Sequence, residues 1–513
     1  MISKNKRIAK NTAFLYIRMF VMMGVSFYAV RLLLAELGIA DFGIYNIVGG
    51  VVAMFSSLRG LFASATQRFL NFEMGGGRNS NLNNIFNMSL NIHLILCLIV
   101  LIFAETIGLW FLNHKLNIDP GRLNAANWVF HCSVIATLIT IMTIPFDAVI
   151  IAREKMKAFA YISIIDSVLK LAAAYVLAVS TGDKLKIYGF LILIIAIVIR
   201  GINSFYCRRN FEECKYRVYW NPDLFKKMGT FAGWNFLGNT SYVLTNEGTN
   251  ILLNFFGGPT SNAARAIAYQ VRAATMKIVT NIFTAVDPQI IKLYSQNEYQ
   301  QLYNLLFFTS KISYLVLLAI VLPLYMSLEF IMNIWLTVVP VDTIIFVKLI
   351  LVLILVRVFH GPLDTLFKAT GDIKKYQISN VIINIFNLPI SYVLLLSGYP
   401  LYIVFVVMIA LDIVYWGMLV ILTNKIEKFN MTEYFNKTIF PCSFVTILSL
   451  CIFYGINLLF DSSIFIEQQI YSTLLGFFSV IISIWIFGLS SNEKSKLRKI
   501  INNKISLKTS DGL

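Results

Sequence analysis

The sequence predicts an all-α polytopic membrane protein with about 14 transmembrane helices. Of its 513 residues, 58% are hydrophobic and only 13% are charged, whereas an average soluble chain is about 25% charged. Apolar runs of the length that crosses a bilayer, about 20 residues, recur from end to end, as in IHLILCLIVLIFAETIGLWFL. These runs are too long and too continuous to be the strands of a membrane β-barrel.

The hydropathy pattern places the predicted spans in order along the chain. The first span follows the basic stretch MISKNKRIAK and is longer than the apolar core of a cleaved signal peptide, so we expect it to be a retained helix. The fourteen spans are expected to begin near residues 12, 44, 86, 124, 158, 187, 229, 263, 302, 343, 377, 401, 438 and 468.

The net charge of +17 is distributed unevenly across the predicted membrane. Most of the 43 Lys and Arg residues fall in segments on the same side as the N-terminus, whereas the opposite loops carry only Lys115, Arg122, Lys184 and Lys186. This asymmetry follows the positive-inside rule and places both termini in the cytoplasm. The excess charge is therefore explained by topology, and a nucleic-acid partner is not expected.

The two halves of the chain resemble each other. Pro145 and Asp147 reappear 217 residues later as Pro362 and Asp364, and Phe14 reappears 222 residues later as Phe236. Because this shift corresponds to six spans, it predicts two pseudo-symmetric six-helix lobes of parallel orientation. The predicted division is an N-lobe over 1–210, a cytoplasmic loop over 211–228, a C-lobe over 229–424, two extra helices over 425–490 and a basic tail over 491–513.

The residues of known catalytic and metal-binding motifs are missing. Six cysteines are scattered without a CxxC pair, and the four histidines are isolated, so we expect neither a disulfide nor a metal site. The chain contains no GxxxxGK[ST], HExxH or GxSxG pattern. We therefore predict that the protein is not an enzyme and has no resident cofactor.

Charged residues inside the predicted spans are the candidate functional residues, because such residues usually face a bundle interior or a water-filled pathway. Arg265 and Arg272 are seven residues apart and fall within about 20° of the same helix face. A ladder of cations across the bilayer suits an anionic cargo, since arginine grips phosphate through paired hydrogen bonds. The alternative is that these cations reach the interface or pair with acids. The predicted cationic residues are Arg18, Arg31, Arg59, Arg265, Arg272 and Lys277.

Two acids have open roles. Glu247 lies at about the depth of Arg272 and either pairs with it or binds the Na⁺ or proton that drives transport. Asp412 is a second candidate for coupling or gating and is expected to meet Arg357 at a similar depth. Asp166 and Lys170, four residues apart on one helix, are expected to neutralise each other.

Two stretches carry a resemblance to a known family. LGIADFGIYNIVGGV, from Leu37 to Val51, and ATQRFLNFEMG, from Ala65 to Gly75, resemble the bacterial polysaccharide-biosynthesis flippases of the O-antigen and lipopolysaccharide type. These flippases share a superfamily with the multidrug and toxin exporters (MATE proteins). The resemblance implies two lobes that open alternately to each side, and a central cationic cavity built from spans 1, 2, 7 and 8.

The resemblance also implies a cargo and a location. The cargo would be a polyprenyl-diphosphate-linked oligosaccharide, flipped in the inner membrane of a bacterial cell, with membrane lipids and the polysaccharide polymerase machinery as further partners. Glu247 keeps a cation-coupled multidrug exporter open as an alternative, because that acid resembles one used by such exporters. A membrane-embedded glycan polymerase or ligase is a remote alternative, since the outward loops are too short to carry a catalytic domain.

Overall fold

The computed structural model describes residues 2–56, 66–67, 69–70, 73–74, 81–153, 155–370, 373–426, 428–459, 466–491 and 493–495. Within these residues the chain forms helices and no strand, and a helix coincides with every predicted span. The all-α prediction is therefore confirmed. Large apolar side chains are exposed along these helices, as expected where lipid replaces water.

The helices follow one another with short connections. Those of the first half are α1 (Ile2–Ser56), α2 (Leu82–Phe103), α3 (Leu109–His114), α4 (Leu123–Ile141), α5 (Ile144–Ala152), α6 (Met156–Val179) and α7 (Lys184–Asn210). The helices that follow are α8 (Pro222–Ser295), α9 (Tyr299–Met326), α10 (Leu328–Trp335), α11 (Thr343–Arg357), α12 (His360–Thr370), α13 (Ile373–Leu396), α14 (Ile403–Thr423), α15 (Met431–Tyr434), α16 (Phe440–Leu459) and α17 (Ile466–Ser483).

Ten helices of the described part are long and apolar enough to cross a membrane. One of these stretches, Arg18–Val52, contains both of the first two predicted spans. The predicted spans 7 and 8 lie in α8, and span 14 lies in α17. The protein is thus a multi-pass membrane protein.

A glycine breaks each of the two longest helices. Gly38 in α1 has φ 75° and ψ 171°, and Gly258 in α8 has φ 67° and ψ −169°. Side chains other than hydrogen are strained in this region of backbone space. The breaks separate span 1 from span 2 and span 7 from span 8, and they lie 220 residues apart. The internal repeat therefore has a structural counterpart at its first hairpin.

A second repeated feature interrupts one span in each half. Met142 and Thr143 separate α4 from α5, and Val358 and Phe359 separate α11 from α12. Each short helix begins around the repeated proline, because proline lacks the N–H that a helix leaves unsatisfied in its first turn. The repeated aspartates, Asp147 and Asp364, lie just beyond these prolines.

The chain packs into two compact units. The first comprises residues 1–267, 335–343 and 384–404, and the second comprises 268–334, 344–383 and 405–513. In the first unit α1 packs along α6 and α4 along α7. In the second unit α16 and α17 pack on each other and on α9, where Tyr314 and Thr446 share a hydrogen bond of 2.9 Å. The lobe limits expected from the repeat stay a prediction.

Candidate functional site

A ladder of buried asparagines joins the two halves of α8 in the first unit. Asn250 and Asn254 lie one turn apart before the Gly258 break, and Asn262 follows it. The Asn262 amide donates to the backbone oxygen and to Oδ1 of Asn250, both at 2.8 Å, and Asn254 donates to Asn262 Oδ1 at 2.9 Å. All three side chains are at most 2% exposed. The ladder thus satisfies polar groups that neither lipid nor apolar neighbours could satisfy.

The ladder ends in an arginine and a carboxylate. Arg265 is 6% exposed, and its Nη2 donates to the backbone oxygen and to Oδ1 of Asn246, at 2.7 and 3.1 Å. Asn246 in turn donates to Glu247 Oε1 at 2.7 Å, and Asn250 donates to Glu247 Oε2 at 3.4 Å. Asn246 therefore links a buried cation to a buried anion. The predicted pairing of Glu247 with Arg272, which lies in the other unit, stays a prediction.

The second half of α1 approaches this ladder closely. A Cβ on Gly43 would lie 1.9 Å from the carbonyl oxygen of Pro259. A Cβ on Gly50 would lie 2.5 Å from Asn250 Nδ2 and 2.6 Å from Glu247 Oε2. The two glycines are seven residues apart and share a helix face. They belong to the stretch that carries the family resemblance, so that motif is explained here by helix packing.

The other predicted cations of the first unit lie along α1. Arg18 is half-buried, with its guanidinium carbon 4.5 Å from the centre of the Phe159 ring, which is a cation–π contact. Arg31 is half-buried about 20 Å further along the helix, at about 1.5 Å per residue. Arg59 lies outside the described residues.

The remaining predicted residues lie in the second unit. Arg272 is 9% exposed and stands 5.1 Å from the centre of the Tyr269 ring, whereas Lys277 is exposed. The expected pair of Asp412 and Arg357 is confirmed, with 3.6 Å between Oδ2 and Nε. In the first unit, the expected pair of Asp166 and Lys170 is confirmed at 2.7 Å.

The second unit also holds a polar cluster that the sequence did not predict. Tyr415 donates to Asp364 Oδ1 at 3.3 Å, and its ring meets the buried His360 edge-on, with centroids 5.0 Å apart. Thr365, next to Asp364, donates to Asp287 Oδ1 at 2.9 Å. The repeat of Asp147 as Asp364 was a usable signal. The asparagine ladder had a signal as well, since NEGTNILLN places asparagines at four-residue intervals.

These groups can bind polar ligands but offer no metal centre. Among the described residues, no group of three or more His, Cys, Asp or Glu side chains could hold a metal ion. The ladder of the first unit presents amides, one guanidinium and one carboxylate within apolar helices. Such a set can orient an anion or accept a cation, and its arrangement suits binding rather than bond-making chemistry.

Comparison with known proteins identifies the fold. No protein-family model and no curated protein matches the chain. The solved structure of the lipid II flippase MurJ in an inward closed conformation is 14% identical, over 93% of this chain and 98% of that one, with a TM-score of 0.71. An inward-facing MATE family multidrug resistance transporter is 14% identical, over 80% of this chain and 96% of that one, with a TM-score of 0.66. The chain has the fold of the MurJ and MATE transporters.

A third similar structure shows how widely this fold varies. It is a MOP superfamily transporter from Pyrococcus furiosus, described as having a binding pocket of reverse polarity that suggests a different function. It is 14% identical over 83% of this chain and 96% of its own, with a TM-score of 0.58. At this identity the likeness establishes the fold, and the charged residues of each chain must be considered individually.

Proposed function

We propose that this protein is a transporter that flips a polyprenyl-diphosphate-linked oligosaccharide from the inner to the outer leaflet for surface polysaccharide biosynthesis. The buried arginines of α8 are the observation that carries the proposal. Arg265 and Arg272 are 6% and 9% exposed within an apolar helix. A cation at mid-membrane is costly and usually marks a transport pathway. The forked guanidinium matches a diphosphate better than any other side chain.

The fold supports the same function. A similar fold belongs to a protein named as a lipid II flippase, and it extends over nearly the whole of both chains. We propose that the cargo headgroup passes through a cationic cavity by alternating access. The membrane potential, negative inside, would favour outward movement of each negative charge by about 2.3 kcal/mol per 100 mV.

A cation-coupled multidrug exporter is the second candidate. The position of Glu247 favours it, because this carboxylate sits among amides beside a close helix contact, and MATE transporters share the fold. However, a pathway for cationic drugs should carry net negative charge. The predicted pathway residues include five arginines and one lysine against two acids, which favours an anionic cargo.

The test is deletion of the gene followed by complementation with single variants. We expect the deletion strain to accumulate lipid-linked oligosaccharide on the inner face of the membrane, and Arg265→Ala or Arg272→Ala to fail to clear it. Lysine at either position should restore flipping only in part, because an ammonium cannot make the paired contacts of a guanidinium. Lys292→Ala is the matched control, since this exposed cation lies near the end of the same helix.

Two results would contradict the proposal. Normal export with both arginines replaced by alanine would show that they serve only the fold. Export of cationic dyes, together with unchanged lipid-linked intermediates in the deletion strain, would favour the multidrug exporter.

A further inference from the structure

The segment between α7 and α8 is held against α2 by a second set of asparagines. We refer to residues 211–221 as the linker strap. Asn83 donates to the backbone oxygens of Glu213 and Lys215, at 2.9 and 2.8 Å. Asn87 accepts from the backbone N–H of Arg217 at 2.9 Å, and Asn91 donates to the backbone oxygen of Tyr219 at 2.7 Å. The asparagines thus pair with every second residue of the strap.

The match follows from two repeat lengths. Four residues of an α-helix rise about 6 Å, and two residues of an extended chain rise about 6.6 Å. Side chains at Asn83, Asn87 and Asn91 therefore meet alternate residues of an extended segment without loss of register. The three asparagines replace the neighbouring strand that an extended backbone normally requires. The strap is consequently a fixed surface feature of the first unit.

Apolar and aromatic side chains alternate with the pinned residues. Tyr216, Val218 and Trp220 are exposed by 59%, 89% and 53%, respectively. Three such side chains in a row are costly in water. Tyrosine and tryptophan are enriched where a protein meets the membrane–water interface, because each ring has an apolar body and a polar tip. This row therefore suits the interfacial layer of a bilayer.

The strap also borders a basic groove. The groove has a volume of about 760 Å³ and opens between the strap, the start of α2 and the turn after α5. Its charged lining comprises four cations and two carboxylates, and one of these carboxylates, Glu213, is paired with Arg153 at 2.7 Å. The cations are Arg153, Lys155, Lys215 and Arg217. Cations thus lie next to an exposed aromatic row, and the positive-inside rule predicts this face to be cytoplasmic.

We propose that the linker strap is a binding site for anionic phospholipid headgroups of the inner leaflet. Tyr216, Val218 and Trp220 enter the interfacial layer, while Lys215 and Arg217 bind the lipid phosphates. Both terms act in the same direction, since apolar insertion and attraction to anionic lipid add in interfacial segments. The site lies apart from the transport residues of α8, so it does not depend on the proposed cargo.

The proposal can be tested with a spin label at position 218. Cys451 is the exposed cysteine, and the other five are buried, so Val218→Cys is labelled in a Cys451→Ser background. The protein is placed in nanodiscs of phosphatidylcholine alone or with increasing phosphatidylglycerol. We expect phosphatidylglycerol to raise collisions of the label with oxygen and to lower those with a water-soluble nickel chelate. Lys215→Gln with Arg217→Gln should need about tenfold more phosphatidylglycerol.

The controls separate this site from other sources of charge. Lys292→Gln with Lys425→Gln removes two exposed cations elsewhere and should leave the titration unchanged. An equal shift in this control would reduce the effect to net charge and overturn the proposal. So would displacement of the label by soluble diphosphate, which would indicate a small-anion pocket. A response to undecaprenyl diphosphate but not to phosphatidylglycerol would make the strap a cargo-docking site instead.

Discussion

Asn262 donates both amide hydrogens of its side chain to Asn250, one to the backbone oxygen and one to Oδ1, each at 2.8 Å. The two residues stand on opposite sides of the Gly258 break, which turns one helix of the first unit into the next. The pair therefore fixes the turn between these helices. The same ladder of amides continues to Arg265 and Glu247, so the geometry of the candidate site depends on this connection.

We expect Asn262→Ala to destabilise the protein by about 1–3 kcal/mol, because it leaves buried amide and carbonyl groups of the ladder without their bonds. Thermal unfolding in detergent should show this as a lower Tm. Asn210→Ala is the matched control, since that exposed asparagine bonds only to the Tyr206 carbonyl of its own helix. Equal Tm values for the two variants would contradict a structural role for the ladder.

Neighbouring glycines of α1 should respond in opposite ways. Gly50→Ala places a methyl group against Asn250 and Glu247 and should cost about 1–3 kcal/mol through overpacking. Gly49→Ala meets nothing within 4 Å and should be neutral or slightly stabilising, because alanine favours a helix over glycine by about 1 kcal/mol. Gly43→Ala should be the most harmful, since Pro259 backbone blocks it. Tm values in the reverse order would show that α1 packs elsewhere.

Glu247→Gln tests whether the carboxylate couples transport to an ion. Both carboxylate oxygens accept hydrogen bonds from amides, and a glutamine can accept at only one. We expect the variant to fold, with a slightly lower Tm, and to lose any dependence of transport on Na⁺ or pH. If Glu247 instead pairs with Arg272, the double variant with Arg272→Gln should be less impaired than the worse single one. Normal transport with unchanged ion dependence would exclude both roles.

Arg122 should make the protein sensitive to acid. It donates to Asp41 at 2.9 Å and to both oxygens of Asp183, at 3.0 and 3.1 Å. Burial by itself would raise the pKa of Asp183, but the hydrogen bonds from Arg122 and from the Lys186 backbone lower it below its ordinary value. The stabilisation is therefore complete above about pH 4 and is lost as the pH falls through the lowered pKa.

The corresponding measurement is the Tm of the wild type and of Arg122→Gln across the acidic range. The difference in Tm should be constant near neutrality and should shrink below about pH 4. Lys170→Gln, which breaks an exposed pair on one helix, should give a small difference throughout, as surface pairs contribute little. A difference for Arg122→Gln that grows at low pH would contradict the assignment.

The topology can be tested by labelling single cysteines in the Cys451→Ser background. Cysteines at Asn117 and Thr181, both exposed in loops, should react with an impermeant thiol reagent from outside the cell. A cysteine at Asn210 should react only after the cells are opened. Outside labelling at position 210 would invert the orientation that the Lys and Arg distribution predicts.

The sequence by itself determined the properties that depend on local composition. Hydropathy located every span, because apolar length is read along the chain. The pair of Asp166 and Lys170 followed from helix periodicity, and that of Asp412 and Arg357 followed from matched depth. Charge inside the spans indicated where polar residues would need partners.

Only the tertiary structure decided which distant residues meet. Nothing local to Asn83 shows that it holds a strap about 130 residues away, and nothing local to Gly50 shows that Glu247 lies against it. The lone Gly258 break that brings Asn250 onto Asn262 is equally invisible in hydropathy. These contacts depend on how whole helices pack, and packing is set by the joint shapes of segments far apart in the chain.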